Sequence, residues 1–166
     1  MIRRVVGVCA VVLAGVLAFS GCLQEGGAVD DPLTISEAKS QTLGVEDRIV
    51  GLIPAEYVAE VVRQPQGVLL ACDEEHVAWA GGLDVAMQSD PDFTQILEGI
   101  ESDFGADARY TSTLETDTYG DPKLTLVDQH NGTWIIGPMK SGAVLSVLSF
   151  SQCFATPDGM QPSDTY

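Results

Sequence analysis

Basic residues are scarce in this chain: 8 lysines and arginines stand against 24 aspartates and glutamates, a formal net charge of −16 at pH 7. Two of the basic residues are among the first four, so residues 22–166 hold six basic side chains and carry a net charge of −18. Proteins that bind nucleic acid without sequence preference need a basic face that neutralises phosphates. The composition therefore excludes such a protein, and it also disfavours docking on anionic lipid by charge alone.

The chain also lacks the motifs of common hydrolases and nucleotide-binding proteins. Neither Gly-x-Ser-x-Gly nor His-Glu-x-x-His occurs, there is no glycine-rich phosphate loop, and His76 and His130 are the only histidines. Acidic residues cluster at 73–75 and at Asp90 and Asp92, but neither cluster matches the twelve-residue calcium loop. A solvated turn explains the first cluster and a helix cap explains the second. We therefore predict no catalytic residue, no metal site and no cofactor.

Long hydrophobic runs are confined to the N-terminus. After two arginines an uncharged stretch covers residues 5–19, and as a helix it would rise roughly 22 Å against a hydrocarbon core of about 30 Å. A basic start, a short apolar run and a small-residue end are typical of a signal peptide. The end, Phe19-Ser20-Gly21-Cys22, resembles the lipobox of bacterial lipoproteins, in which an apolar residue and two small residues precede an invariant cysteine. Phenylalanine stands here in place of the usual leucine.

That resemblance implies both a location and an anchor. It implies diacylglycerol on the Cys22 thiol, cleavage after Gly21 and residence on the outer face of the cell membrane. Residues 1–21 would be the signal peptide and residues 22–33 a flexible acidic tether. The layout is similar to that of short lipoproteins of high-GC Gram-positive bacteria, and it assigns no family to the folded domain. An uncleaved transmembrane anchor and an ordinary secreted protein are the alternatives.

The cysteines indicate a disulfide in the folded domain. Of the four, Cys9 leaves with the signal peptide and Cys22 is the expected lipidation site. Cys72 and Cys153 remain, and in an oxidising compartment the two are expected to bond. A redox or metal site is the alternative, but the wide separation and the absence of a Cys-x-x-Cys motif disfavour it.

Hydrophobic periodicity and turn signals predict two helices and a sheet. Thr34 and Glu37 match a capping box, which predicts a helix from residue 35 to about residue 52. An apolar stripe over residues 93–104 predicts a second helix, with Asp90 as its N-cap and Gly105 at its end. Strands are predicted at 68–72, 76–87, 109–118, 123–130, 133–137 and 143–154, and residues 57–63 are either a strand or an irregular connection.

The turns arrange the later strands in a meander. Asn131-Gly132 predicts a two-residue type I′ hairpin, Ser141-Gly142 predicts a further turn, and His130 is expected to be exposed and without a role. The order of elements implies an α+β domain over residues 34–154: a single mostly antiparallel sheet, both helices on one face, and the disulfide within it. Residues 155–166 are predicted to form a loose tail.

Three side chains are candidates for a ligand surface. Trp79 and Trp134 lie on predicted strands, where core packing competes with a role in binding, and His76 follows three acidic residues. The absence of catalytic motifs favours a non-catalytic envelope module that binds a small ligand, a peptide or another envelope protein. The alternatives are a small hydrolase that uses carboxylates together with His76, and a lipoprotein that binds a divalent metal.

Overall fold

The computed structural model describes residues 33–88, 91–139 and 143–166. The helices and strands within them follow the chain as α1 (Ile35–Leu52), β1 (Val58–Arg63), β2 (Val68–Ala71), β3 (His76–Met87), α2 (Phe93–Gly105), β4 (Tyr110–Thr116), β5 (Pro122–Asp128), β6 (Thr133–Pro138), β7 (Val144–Phe150) and β8 (Phe154–Ala155). The expected lipobox, Phe19 to Cys22, lies outside the described residues, as does the turn expected at Ser141-Gly142. Within the described ranges, no helix is both long enough and apolar enough to cross a membrane.

The strands described here form one antiparallel sheet, in which the path β1-β3-β7-β6-β5-β4 is continuous. β3 is long enough to pair with two strands on each edge, β1 and β2 on one side and β7 and β8 on the other. β4 to β7 pair in sequence as a meander. The predicted α+β fold, with one mostly antiparallel sheet and two helices, is confirmed. The segment left open in the sequence becomes a 3-10 turn, Ala55–Tyr57, followed by β1.

Both helices cover the same face of the sheet. α1 begins with the predicted capping box, because the Thr34 hydroxyl accepts a hydrogen bond from the Glu37 amide and the Glu37 carboxylate accepts one from the Thr34 amide. α2 begins two residues later than the predicted cap implies. Its cap is Asp92, whose carboxylate accepts from the Gln95 amide at 3.2 Å, whereas Asp90 lies outside the described residues. Asp92 therefore replaces Asp90 as the cap, because its carboxylate accepts a hydrogen bond from an amide of the first turn.

The hydrophobic core has two parts. The larger part lies between the sheet and both helices, and its fully buried aromatic and aliphatic side chains include Ile100 and Phe104 of α2 and Ile49 of α1. The smaller part lies under the first half of α1 and surrounds Trp79, which is 1 % exposed. A Cβ atom on Gly81 would lie 2.3 Å from the Trp79 ring, so the absence of a side chain there lets the indole lie flat against its own strand.

An ion pair between a buried glutamate and a partly exposed arginine ties α1 to β1. The Glu46 side chain on α1 is fully buried, and its Oε2 accepts a hydrogen bond of 2.8 Å from the Arg63 guanidinium. Burial is the main cause that raises the pKa of Glu46, while Ser149 and Arg63 favour its charged form. Neither Glu46 Oε1 nor Ser149 Oγ completes a hydrogen bond of good geometry within the described part of the chain. The Glu46 carboxyl therefore depends on Arg63 for its compensation.

The predicted disulfide is present. Cys72 and Cys153 are bonded, with an S–S distance of 2.04 Å and their Cα atoms 6.3 Å apart. Cys72 directly follows β2, and Cys153 directly precedes β8. Because β2 and β8 pair with opposite edges of β3, the bond links the two strands that flank the first residues of β3.

The C-terminal segment is ordered against the sheet and α1, whereas the sequence predicted a loose tail. Ser163 donates to the Leu69 carbonyl at 2.7 Å, and the Tyr166 backbone exchanges two hydrogen bonds of 3.0 Å with Gly67. The indole Nε1 of Trp79 donates to the Tyr166 carbonyl at 3.3 Å. The polar composition of residues 155–166 gave no sign of this, because backbone groups and not an apolar pattern make the attachment.

Candidate functional site

The structure does not bring the three predicted ligand-surface residues together. Trp79 and Trp134 are each 1 % exposed, and they belong to different parts of the core on the sheet face that the helices cover. Burial of a large aromatic ring is strongly favourable, which accounts for both positions. The His76 side chain lies at the start of β3, is 45 % exposed, and contacts Asp73. These three residues therefore do not form one surface.

The loop before His76 is a turn built around one carboxylate. The Glu75 amide donates to Asp73 Oδ1 at 2.8 Å and the His76 ring contacts the same carboxylate, which together hold the pKa of Asp73 below its ordinary value. The hydrolase alternative requires His76 to meet at least two carboxylates, and here it meets one. Across residues 33–88, 91–139 and 143–166, no group of three His, Cys, Asp or Glu side chains is placed to hold a metal ion.

A cavity of about 370 Å³ lies between the first half of α1 and the loop that joins β5 to β6, and we call it the hairpin pocket. Its lining residues come from four segments of the chain: Ala38, Gln41, Thr42 and Val45 of α1; Arg109 and Tyr110 at the start of β4; Asp128, Gln129, His130, Gly132 and Trp134 of the hairpin; and Ser151 and Gln152 after β7. The volume lies in the range of about 300–1,000 Å³ that is typical of small-molecule sites. A broader depression between α1 and Tyr166 is more open to solvent.

The hairpin loop beside this pocket is wider than predicted. Asn131 has a φ of 68°, but Gly132 is not in the left-handed region, and a type I′ turn needs a positive φ at both central residues. The Asp128 side chain stabilises a different loop, because its Oδ1 accepts hydrogen bonds of 2.8 Å from the amides of His130 and Gly132. The predicted type I′ turn is therefore wrong. The wider loop places Gln129 and His130 at the rim of the hairpin pocket.

Gly132 is the residue that lets the loop close onto the floor of the pocket. A Cβ atom there would lie 2.9 Å from Asp128 Oδ2 and 3.0 Å from the Trp134 ring. Those distances are shorter than ordinary van der Waals contact, so any side chain would displace one of the two neighbours. The glycine thus keeps the acidic side chain and the indole at the same end of the cavity.

Trp134 forms the floor and is fixed in two ways. Its indole Nε1 donates to the Thr42 carbonyl of α1 at 3.3 Å, and its ring centroid lies 6.3 Å from that of Tyr110. Tyr110 in turn meets Phe104 of α2 edge to face, with centroids 4.9 Å apart. The floor of the hairpin pocket is therefore continuous with the main core and is rigid for that reason.

Arg109 is held at the rim by Asp107. Its Nε and Nη2 donate to the two Asp107 oxygens at 2.9 and 2.7 Å, and Arg48 adds a further hydrogen bond to Asp107 at 3.2 Å. These donors, Arg109 above all, hold the pKa of Asp107 well below its usual range. A guanidinium fixed by two parallel hydrogen bonds loses little further side-chain entropy when it binds a ligand.

Backbone contacts join the separate segments of the site. The Gln129 amide donates to the Arg109 carbonyl at 2.8 Å, which ties the hairpin loop to the start of β4. The buried Ser151 hydroxyl accepts from the Trp79 amide at 2.9 Å and donates to the Gln152 carbonyl at 2.8 Å. Backbone and side-chain hydrogen bonds together thus preorganise the rim, and among its side chains Gln129 also contacts the His130 ring at 2.9 Å.

No family model, curated protein or solved structure matches this chain. The chemistry of the hairpin pocket therefore follows from its own side chains. It offers an aromatic floor, the three side-chain amides of Gln41, Gln129 and Gln152, and one side chain of each charge at the rim. Such a mixture of a few polar groups around an apolar floor is typical of a ligand site.

A second group of residues on α1 has a structural role. Ser36 and Lys39 have the Ser-x-x-Lys spacing, which the search for hydrolase motifs in the sequence overlooked. Ser36 Oγ lies 2.9 Å from the Tyr166 hydroxyl, and Lys39 Nζ donates to the Tyr166 carbonyl at 3.2 Å and lies 5.6 Å from the centroid of the Trp79 ring. Both side chains hold the C-terminal segment against α1.

Sequence reasoning missed most of the hairpin pocket. His130 was expected to be exposed and without a role. It is exposed, but it also lines the hairpin pocket. One local signal was available, because an aspartate side chain often accepts a hydrogen bond from the backbone amide two residues on, as Asp128 does from His130. Gln41 and Gln152 had no local signal, since only the tertiary fold brings residues 111 positions apart to one cavity.

Proposed function

We propose that this chain is a lipid-anchored protein on the outer face of the cell membrane. Its folded domain binds a small polar ligand in the hairpin pocket and does not catalyse a reaction on it. The pocket, about 370 Å³ with an aromatic floor and a preorganised polar rim, is the observation that carries the proposal. The lipobox-like Phe19-Ser20-Gly21-Cys22 supports the anchor. A ligand-binding domain on a short tether keeps its site close to the membrane, where a captured molecule is available to other envelope proteins.

Membrane binding depends more on the acyl anchor here than in a protein with a basic surface. Residues 22–166 have a net charge of −18, so anionic headgroups repel the domain. Two or more acyl chains anchor stably, whereas one chain binds marginally and reversibly. The localisation therefore depends on modification at Cys22 and not on the surface of the domain.

Replacement of Cys22 by alanine is expected to abolish the lipid-anchored mature form. The variant has no thiol to accept diacylglycerol, so it stays as an unprocessed precursor or appears in the medium. Fractionation combined with mass spectrometry measures both outcomes, and Cys9→Ala, which leaves the lipobox intact, is the matched control. A Cys22→Ala product of mature size that still fractionates with membranes contradicts the anchor.

Filling the hairpin pocket is expected to abolish ligand binding while leaving the fold intact. Gln41 is exposed and lines the cavity, so Gln41→Trp places a large ring in it. Gln66, exposed in the loop between β1 and β2 and outside the pocket lining, gives the matched control Gln66→Trp. Thermal unfolding is followed with a library of sugars, amino acids, nucleosides and short peptides. A ligand at 100 times its Kd stabilises the native state by about 2.7 kcal/mol.

We expect at least one compound to stabilise the unmodified chain and Gln66→Trp, and to leave the melting temperature of Gln41→Trp unchanged. Equal stabilisation of all three proteins places the ligand elsewhere and contradicts the proposal. A library without any stabilising compound also counts against it.

A further inference from the structure

We infer that the ligand of the hairpin pocket is a neutral polyhydroxylated molecule of the size of a mono- or disaccharide. This inference rests on the proposed function and adds the chemical class of the ligand. It is carried by three properties of the cavity: balanced charge at the rim, side chains that both donate and accept hydrogen bonds, and an apolar floor without an open aromatic face.

The charges at the rim cancel. Arg109 is the basic lining residue and Asp128 the acidic one, and each already has compensating partners in the protein. Arg109 is paired with Asp107 through two hydrogen bonds, and Asp128 Oδ1 accepts from two backbone amides. A phosphorylated or carboxylated ligand is repelled by Asp128 and by the field of residues 22–166, whose net charge is −18, while a cationic ligand is repelled by Arg109. A neutral ligand is repelled by neither side chain.

The hydrogen-bonding groups match those of hydroxyls. A side-chain amide both donates and accepts, as a sugar hydroxyl does, and three glutamines line the pocket. No hydrogen bond to another described residue engages the amides of Gln41 and Gln152. Asp128 Oδ2 likewise remains available as an acceptor, because only Oδ1 binds the loop amides. Pairs of donor and acceptor atoms on planar groups suit adjacent hydroxyls on a ring.

The floor suits the C–H face of a sugar better than a flat aromatic ligand. Trp134 is 1 % exposed, so it presents only a small part of its ring to the cavity. Tyr110 is surrounded by Phe104 at 4.9 Å and by the guanidinium groups of Arg48 and Arg109, 5.6 and 5.8 Å from its centroid. Neither ring offers a full face for stacking, while Ala38 and Val45 add aliphatic surface. The volume of about 370 Å³ holds roughly a dozen waters, enough for a small ring system.

Calorimetric titration of the mature chain tests this class directly. The neutral probes are maltose, cellobiose and lactose, and the comparators are glucose 6-phosphate, spermidine and indole. We expect at least one neutral disaccharide to bind with a Kd below about 1 mM and every comparator to bind at least tenfold more weakly. Asp128→Asn, which keeps Oδ1 for the loop, and Gln152→Ala are each expected to weaken binding at least fivefold, whereas Gln66→Ala leaves it unchanged.

The possible results separate the two proposals. If a comparator binds more tightly than the disaccharides and Gln41→Trp abolishes its binding, the saccharide class is wrong and the pocket remains a binding site. Binding of a disaccharide that no pocket variant weakens overturns both. Should Asp128→Asn lower the melting temperature, Gln152→Ala alone decides the question, because the Gln152 side chain makes no hydrogen bond to another described residue.

Discussion

Replacement of both Cys72 and Cys153 by serine is expected to lower the free energy of unfolding by about 2–4 kcal/mol. The bond spans 81 positions of sequence, so its loss frees a long loop in the unfolded chain. The chain-entropy model sets an upper value of about 4.5 kcal/mol for a loop of this length. The bond also joins the ends of β2 and β8, two short strands that hold the start of β3 from opposite edges.

Urea denaturation of the mature chain, followed by circular dichroism, measures this loss. Both cysteines are exposed, so reduction of the unmodified protein should reproduce the effect of the double serine variant. The single variants leave a free thiol, and for that reason the double variant is the cleaner comparison. A double variant within about 0.5 kcal/mol of the unmodified protein contradicts a stabilising role for the bond.

Replacement of Arg63 by alanine is expected to cost about 2–4 kcal/mol. The change leaves the fully buried Glu46 carboxyl without the guanidinium that donates to it at 2.8 Å. Removal of one partner of a completely buried pair costs about 3–5 kcal/mol, and the value here is lower because the Arg63 side chain is 36 % exposed and partly solvated. Lys123→Ala, which breaks the exposed pair with Glu115, is the control and should cost no more than about 0.5 kcal/mol.

The same site predicts the pH dependence of stability. Burial raises the pKa of Glu46, so the folded state binds this proton more tightly than the unfolded state. Stability contributed by the protonated form is therefore complete below the ordinary glutamate value of 4.5 and is lost as the pH rises through the raised folded pKa. Arg63→Ala removes an interaction that lowers this pKa, so it should steepen the loss of stability with rising pH. Glu46→Gln should remove this part of the pH dependence both from the unmodified protein and from the Arg63→Ala variant.

Urea titrations at several pH values between about 4 and 8 measure these slopes. Identical pH dependence in the unmodified protein, Arg63→Ala and Glu46→Gln contradicts the assignment to Glu46. An Arg63→Ala variant that is as stable as Lys123→Ala contradicts the predicted contribution of the Arg63–Glu46 ion pair to stability.

The sheet and helices were accessible from the sequence because their signals are local. The capping box at Thr34 and Glu37 and the alternation along residues 76–87 each lie within one element, and the structure has α1 and β3 at the predicted bounds. The cap of α2 was misassigned because Asp90 and Asp92 both fit the residue preference. Only the capping hydrogen bond, from the Gln95 amide to Asp92, decides between them.

The hairpin pocket was not accessible, because side-chain to backbone and long-range contacts build it. The Asn131-Gly132 dipeptide favours a type I′ turn by itself, but two hydrogen bonds to Asp128 stabilise a wider loop. The ordered C-terminal segment was missed for a similar reason, since the backbone of Tyr166 and the indole of Trp79 hold it. Neither contact leaves a periodic trace in the sequence.

A fragment screen by nuclear magnetic resonance on the ¹⁵N-labelled mature chain tests most directly whether the hairpin pocket is the binding site. It detects any class of small polar molecule and reports where each one binds. We predict that shift changes concentrate on the Trp134 indole N–H and on the amides of Gln129, Gly132 and Gln152. Shift changes that concentrate on the opposite sheet face, around the exposed Leu148, or that spread evenly over the domain, would contradict the account.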